Sequence, residues 1–482
     1  LYTFIFINIL ALANNKALFF CSLKHIVYKD YSNKILKEVK LMNLQSQTFK
    51  GGIHPPHFKK ATENLTIERA KTPDMVYIPM QQHIGAPCEP IVKVGDSVKI
   101  GQKIGEAKAF VSAPIHSSVS GKVKKIQKLD TPTGNATTII IESDSKNEIH
   151  ESVVSKGKVD DLTKEEIVEV IKEAGITGLG GAGFPTHVKL SPPPEKKVDT
   201  VILNGAECEP YLTADHRLML EQPEMIIKGL KAIMKAVDVT KGFIGIEDNK
   251  PDAIKIMMEA SKNEKNIQVV PVKTKYPQGD EKRLINSITK REVPNGGLPM
   301  DVGVVVNNVG TAHAIGNAFE TGMPLVERVA TITGSGINNP KNLIIKIGTP
   351  FKDIIDECGG FKDKPGKIIM GGPMMGIAQH SIEVPTIKGT SGILVLDREE
   401  AKIPDPDPCI RCAKCVDICP VNLQPLFISK LSLKRMYEEA ASYNALSCIE
   451  CGSCSFVCPS KRPLLQSIRV AKREILSNRK KS

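Results

Sequence analysis

Between Thr48 and about Thr131, apolar residues alternate with polar ones in short runs. Glycines punctuate the runs, as in VKVGDSVKIGQKIGEA and APIHSSVSGKVKKI. A period of two belongs to strands with one buried face, so this stretch predicts short strands joined by glycine turns. From Lys164 the period lengthens. Ile167, Val170, Ile171 and Ala174 share one helical face, and Thr163 with Glu166 makes a capping box at its start. Four apolar runs follow, VDTVILN, GFIGIED, IQVVPVK and VGVVVNN, separated by periodic segments such as LTADHRLMLEQPEMIIKGLKAIMKA. Strand-like runs alternating with helical ones predict a Rossmann-like α/β domain built on a parallel sheet, with ligands at the carboxyl ends of the strands.

The stretch from about Arg328 to Leu396 is rich in Gly, Ile and Val and carries short strand signals such as RVATITGSG and KIIMGGPMMG. It predicts a small mixed α/β or β-grasp unit. PDPDPC then marks a linker, because its prolines continue neither helix nor strand. The expected organisation is multidomain, α/β and α+β: a leader at 1–41, a strand-and-turn domain at 42–135, the α/β domain at 136–325, the β-grasp domain at 326–398 and a cysteine-rich domain at 399–482.

The chain's 482 residues fit about three or four domains, at roughly 100–200 residues each. An apolar fraction of 41%, aromatics at 5% and no Trp describe a soluble globular protein. The net charge of +12 matches no nucleic-acid module and predicts a solvated basic surface. Part of it lies in Leu1 to Leu41, where six Lys face Asp30 and Glu38. More lies in the tail from Lys461 to Ser482, which could face an anionic leaflet or an acidic partner. The opening run LYTFIFINILALA is shorter than the ~20 apolar residues of a membrane span and lacks the marks of a signal peptide. KEVKLM, ending at Met42, back-translates to a purine-rich ribosome-binding sequence before a start codon, so natural translation is expected to begin at Met42.

Eight of twelve cysteines fall into two C-x2-C-x2-C-x3-C-P runs, Cys409, Cys412, Cys415 and Cys419, then Cys448, Cys451, Cys454 and Cys458. This spacing wraps three thiolates around one 4Fe-4S cubane and sends the fourth to the other cluster. Cluster one is therefore assigned to Cys409, Cys412, Cys415 and Cys458, and cluster two to Cys448, Cys451, Cys454 and Cys419. Structural zinc would leave the third cysteine of each run unexplained. Such thiols belong in a reducing compartment. Cys21, Cys88, Cys208 and Cys358 are scattered, as small buried or partly exposed residues are. QPLFISKLSLKRMYEEAAS, between the runs, has helical character, so this end resembles an α-helical dicluster ferredoxin.

GITGLGGAGFPTHVKL places Gly178, Gly180, Gly181 and Gly183 in a loop after a helix, where backbone N–H groups can approach a phosphate. Alone, the loop is weak evidence. It precedes NGAECEP, YPQGDEKRL and VVNNVGT in the order found in the NADH- and FMN-binding subunit of respiratory complex I. With the N-terminal GGIHPP and the two cysteine runs, the chain resembles the RnfC family, a component of Rnf ion-translocating electron transport complexes. The strand-and-turn region resembles the barrel-sandwich hybrid of biotinyl and lipoyl domains. Lys108 is the nearest match to their modifiable lysine but stands one position off, which favours a structural platform.

The resemblance implies an FMN and NAD(H) site. The glycine loop would cradle the nucleotides with Lys189 near the phosphate, and Phe184 would stack on adenine. Asn204 and Glu207 come from the second motif, Tyr276, Asp280 and Glu281 from the third, and Asn307 and Asn308 from the fourth. Leu179 stands where the family has Arg, and Ala206 where it has Asp, so one flavin contact is missing. On their own residues, Asn307 and Asn308 also read as a strand-end turn, and Asp280 and Glu281 as an acidic helix start.

The implied function is electron exchange between NAD(H), through FMN, and two 4Fe-4S clusters, coupled in the complex to ferredoxin redox chemistry and cation translocation. The implied partners are the integral membrane and ferredoxin-like Rnf subunits, NAD(H) and ferredoxin, without nucleic acid, at the cytoplasmic face of the membrane. The redox cofactors carry the chemistry, and no hydrolytic Ser/His/Asp or H-E-x-x-H constellation is present. A cobalamin reductase of propanediol-utilisation type, and an electron-carrier scaffold without its own nucleotide site, are the alternatives.

Overall fold

The computed structural model describes residues 46–481. The expected leader and the start at Met42 lie outside the described residues, as does Cys21.

The strand-and-turn region folds as two antiparallel sheets, one of four strands and one of three. The larger is built on the hairpin Gly121–Thr131 and Gly134–Ser143, with Met75–Pro79 along one side. The alternation explains the packing. Val76, Ile78, Ile104, Ile115, Val123, Ile139 and Ile141 point into one shared core. Lys108 is exposed and pairs with Glu89 at 2.5 Å.

The helix Lys164–Glu173 has the expected reciprocal capping box between Thr163 and Glu166 and buries Ile167 and Ile171. The four apolar runs become Thr200–Gly205, Gly242–Glu247, Ile267–Val272 and Val304–Asn308. They form one parallel sheet in which Thr200–Gly205 lies between Gly242–Glu247 and Val304–Asn308, and Ile267–Val272 forms the far edge. The long periodic segment between the first two strands is two helices, Ala214–Glu221 and Pro223–Ala236. Pro223 cannot donate into the first helix and opens the second at its first turn, where the missing N–H costs nothing.

A six-stranded mixed sheet follows, with Glu327–Thr333 between Lys341–Lys346 and Gly392–Leu396. The helix Phe351–Glu357 contributes Phe351, Ile354 and Ile355 to its core. The C-terminal end packs Pro425–Leu433, Tyr437–Ser442 and Leu464–Lys481 around Ile428, Ala440, Leu464, Ile468 and Ile475.

Residues 47–69 form a strap that leaves the first domain and pairs with later ones. Gln47 bridges Val272, Ile53 bridges Tyr276, and Ile67–Arg69 runs parallel to Lys341–Lys346 in the mixed sheet. Its contacts span large sequence separations and leave no local periodicity. Among the described residues, no helix is long and apolar enough to cross a membrane.

Candidate functional site

The parallel sheet gathers the four motifs at one end. Asn204 and Glu207 lie at and just beyond the carboxyl end of Thr200–Gly205, and Asn307 and Asn308 close Val304–Asn308. Tyr276, Asp280 and Glu281 follow Ile267–Val272. The glycine loop closes on itself through a Gly178 N–H bond to the Phe184 carbonyl, at 2.9 Å. It is pinned to this end of the sheet by the Leu179 N–H, which donates to Thr311 Oγ1 at 3.0 Å.

Several expected site residues are engaged inside the protein. Asn308 caps the helix Val309–Thr321, accepting from Gly310 N–H at 2.8 Å and donating to Asp215 at 2.7 Å. The Asn204 side chain donates to the Gly279 carbonyl at 2.8 Å and accepts from Ala206 N–H at 3.0 Å. Glu207 is buried and accepts from the N–H groups of Asp215 at 2.9 Å and His216 at 3.4 Å. Those amides begin the helix Ala214–Glu221, whose dipole favours a carboxylate. Asp280 caps the helix Glu281–Thr289 through Arg283 N–H, and Glu281 pairs with Lys189 at 3.4 Å. Lys189 also donates to the Val306 carbonyl at 2.9 Å. Tyr276 is fully buried, and its hydroxyl donates to the Cys451 carbonyl at 2.8 Å.

What remains free suits a phosphorylated ligand. Gly180 and Gly181 are exposed, and Phe184 is half-buried. A Cβ on Gly180 would stand 2.7 Å from the Asn308 amide, whereas one on Gly181 would meet open space. Thr177 Oγ1, Thr186 Oγ1 and Asn307 Nδ2 are buried with no hydrogen-bond partner among the described residues. An open glycine backbone beside unpaired donors at the carboxyl ends of parallel strands fits a flavin mononucleotide.

No motif or periodicity announced the buried charges beneath this surface. Lys59, from the strap, donates to the carbonyls of Glu207 and Glu209 at 2.8 and 3.0 Å and to that of Leu212. Burial, reinforced by Glu207, pushes the Asp215 carboxyl up to about 6. Burial pushes Glu209 up to about 7, although it accepts from Met374 and Met375 N–H. Arg328 is buried and donates to the Leu179 carbonyl at 3.5 Å. It places a guanidinium under the loop position where the resemblance implied an arginine side chain.

The cysteines line two cavities. Cys409, Cys412, Cys415 and Cys458 line one, and Cys419, Cys448, Cys451 and Cys454 line the other. Each cavity takes three cysteines from one run and the last from the other, the grouping that the spacing predicts. Among the described residues, no three potential ligands converge on a single-ion site. Four cysteines lining each cavity suit a cubane, whose four irons each need one thiolate. The cavities differ in environment. Cys409 and Cys412 are exposed, whereas Cys419, Cys451 and Cys454 are buried. Burial pushes the Cys454 thiol up to about 12, so cluster assembly there displaces protons.

Comparison with known proteins agrees with this geometry. Residues 47–146 match the RnfC barrel sandwich hybrid domain, 171–317 the Nuo51 FMN-binding domain, 329–378 the SLBB domain and 401–459 the 4Fe-4S dicluster domain. The C subunit of the Na(+)-translocating ferredoxin:NAD(+) oxidoreductase complex of Acetobacterium woodii is 54% identical over 441 residues, 91% of this chain and 100% of that protein. The C subunit of the proton-translocating ferredoxin:NAD(+) oxidoreductase complex of Clostridium ljungdahlii is 54% identical over 430 residues, 89% of this chain and 94% of that one. The C subunit of the ion-translocating oxidoreductase complex of Rhodobacter capsulatus is 43% identical, covering 89% of this chain and 83% of that one. With four matched domains and this identity along nearly its whole length, the chain belongs to the family of C subunits of ion-translocating ferredoxin:NAD(+) oxidoreductase complexes.

Proposed function

We propose that the chain exchanges electrons between NAD(H) and two 4Fe-4S clusters through FMN held at the carboxyl ends of the parallel sheet, within a cation-translocating complex that also turns over ferredoxin. The observation that carries this reading is adjacency. The motif that supplies Asp280 and Glu281 at the nucleotide site begins with Tyr276, whose hydroxyl contacts Cys451. Bound in the cradle, FMN supplies the exchange between hydride and single electrons. The chain's own residues hold and shield it. Gly178, Gly180, Gly181 and Gly183 present backbone to the phosphate, Lys189 and the free Asn307 amide add donors, and Phe184 offers a face to adenine. Glu207 and Asn204 fix the loop at Gly205, while Asn308, Asp280 and Glu281 set the flanking helices.

The cluster of Cys419, Cys448, Cys451 and Cys454 is then the nucleotide-facing one. The cluster of Cys409, Cys412, Cys415 and Cys458, with exposed sulfurs and with Ile410, Arg411 and Lys414 at its rim, is the exchange point for a one-electron partner. The limits 325/326 and 398/399 serve as working boundaries, whereas the expected limit at 135 moves beyond Ser143, because the strand Gly134–Ser143 pairs within the first domain's sheet; the labels Rossmann-like, β-grasp and α-helical ferredoxin describe the last three domains. The strap at 47–69 crosses those limits. A cytoplasmic-face, peripheral position accords with eight cluster cysteines that need a reducing compartment.

Flavin absorbance and its bleaching by NADH in the anaerobically reconstituted chain test the nucleotide site directly. The Gly181→Ala variant sharpens the test. Its new methyl meets no protein atom, so stability should hold within ~0.5 kcal/mol, as for an ordinary surface change. FMN affinity should fall about tenfold, or ~1.4 kcal/mol, because the methyl projects into the cradle. Equal FMN affinity in both chains would take Gly181 out of the cradle, and no FMN binding by either chain would favour the scaffold alternative.

A further inference from the structure

The third motif resembles a nucleotide-binding element, yet its first residue faces the iron-sulfur domain. Tyr276 is 1% exposed and packs with Ile53 and Cys451 in a small core that also touches Cys208, Met374, Ile418, Ile449 and Val457. Its backbone is fixed on both sides, since Tyr276 N–H donates to the Ile53 carbonyl and Ile53 N–H to the Tyr276 carbonyl, each at 2.8 Å. The side chain, buried in that core, reaches the iron-sulfur domain. Its hydroxyl meets a carbonyl, which can only accept, so Tyr276 donates to Cys451 O at 2.8 Å.

Two further donors reach the other loop of the same cavity. Arg283, seven residues on in the same motif, donates to the Pro420 carbonyl at 2.7 Å. Gly52, in the strap, donates its N–H to the Ile418 carbonyl at 2.9 Å. Ile418 and Pro420 flank Cys419. Donors from outside the iron-sulfur domain thus satisfy carbonyls on both loops around the Cys419, Cys448, Cys451 and Cys454 cavity. The lining of the other cavity includes none of these three donors or the carbonyls they satisfy.

We propose that Tyr276, with Arg283, is a positioning residue for the nucleotide-facing cluster: it locks the Cys451 loop to the flavin-binding motif and raises that cluster's reduction potential relative to the exposed one. This inference rests on the proposed function for which cluster faces the nucleotide. The physical cause is charge. Reduction adds one electron to the cluster, and a donor on a ligand residue's carbonyl offsets the negative end of that peptide dipole, which favours the reduced state. Tyr276 keeps its proton throughout. The covalent path from Asp280 and Glu281 back to Tyr276 also makes the contact a short bridge between the two sites.

The test compares the full chain with its Tyr276→Phe variant, both reconstituted anaerobically with iron, sulfide and FMN. EPR signals are assigned to each cluster with Cys412→Ser and Cys454→Ser variants. Potentiometric titration should show the Cys419, Cys448, Cys451 and Cys454 cluster shifted negative in Tyr276→Phe. Its reduction should be less favourable by up to about fivefold, the ceiling set by the whole of one ordinary hydrogen bond. The exposed cluster and the FMN content should not change. An unmoved potential, or equal shifts in both clusters, overturns the proposal. Loss of FMN with the potential unchanged also overturns it and makes Tyr276 a flavin contact. Where Tyr276→Phe fails to hold iron, Arg283→Gln is titrated instead. It should shift the same cluster in the same direction, and no shift refutes the idea. A wild-type chain whose flavin NADH cannot reduce defeats the proposed function itself, a result separate from these.

Discussion

Changing Cys419 to Ser is expected to remove the cluster built mainly by the second cysteine run, although Cys419 belongs to the first. Iron should fall from about eight to about four per chain, and the surviving EPR signal should be that of the exposed cluster. Cys458→Ser should do the converse. The expectation follows from the cavities, where Cys419 lines the chamber of Cys448, Cys451 and Cys454, and Cys458 that of Cys409, Cys412 and Cys415. Cys419 is buried, and its Sγ accepts from Leu423 N–H at 3.3 Å, so its direction is set before any iron arrives. If each run instead closed its own cluster, Cys419→Ser would spare the signal that depends on Cys454. Paired double variants decide the point. Cys419→Ser with Cys454→Ser should lose no more iron than either change alone, whereas Cys419→Ser with Cys412→Ser should lose nearly all of it.

The grouping of the cysteines around two cavities was legible from the chain alone because it depends on local spacing. The four strands of the parallel sheet were legible for a related reason, since each is a mostly apolar, mostly buried run. The break between Ala214–Glu221 and Pro223–Ala236 was also written in the chain, at Pro223, but helical periodicity on either side hid it. The order of their motifs made the candidate residues legible as a group, which the sheet gathers at one end. Their individual engagements were not. Asn308 and Asp280 cap helices through N–H groups two and three residues on, while Asn308 also reaches Asp215 and Tyr276 reaches Cys451 across 93 and 175 positions. Lys59, Asp215 and Arg328 left no signal at all. A buried charge is recognisable only through its partner, and Lys59 meets Glu207 across 148 positions.

Lys59→Met is the substitution expected to cost the most stability. The Lys59 ammonium is almost fully buried, donates to three carbonyls on the segment from Glu207 to Leu212 and stands 3.8 Å from the Glu207 carboxylate. Removing one partner of such a buried group costs about 3–5 kcal/mol, a large part of the ~5–15 kcal/mol that holds a domain together. The 3.8 Å separation is long for an ion pair, so the lower end is expected, with most of the loss coming from stranded carbonyls. FMN content should fall as well, because those carbonyls belong to the loop that carries Glu207. Asp215 gives the effect a pH signature. Its carboxyl is pushed from 3.8 to about 6, chiefly by burial and then by Glu207, while Lys59 pulls it down. A carboxyl raised on folding contributes stability that is complete below its unfolded value and lost as pH rises through its folded value. Without Lys59 the folded value climbs further, so the loss extends to higher pH. The deficit of Lys59→Met in urea midpoint should therefore be smaller at pH ~5.5 than at pH ~8, where Asp215 must be charged without the lysine. Equal deficits at both values would show that Lys59 acts through its carbonyl contacts alone, and that its charge does not govern the acids beneath the nucleotide site.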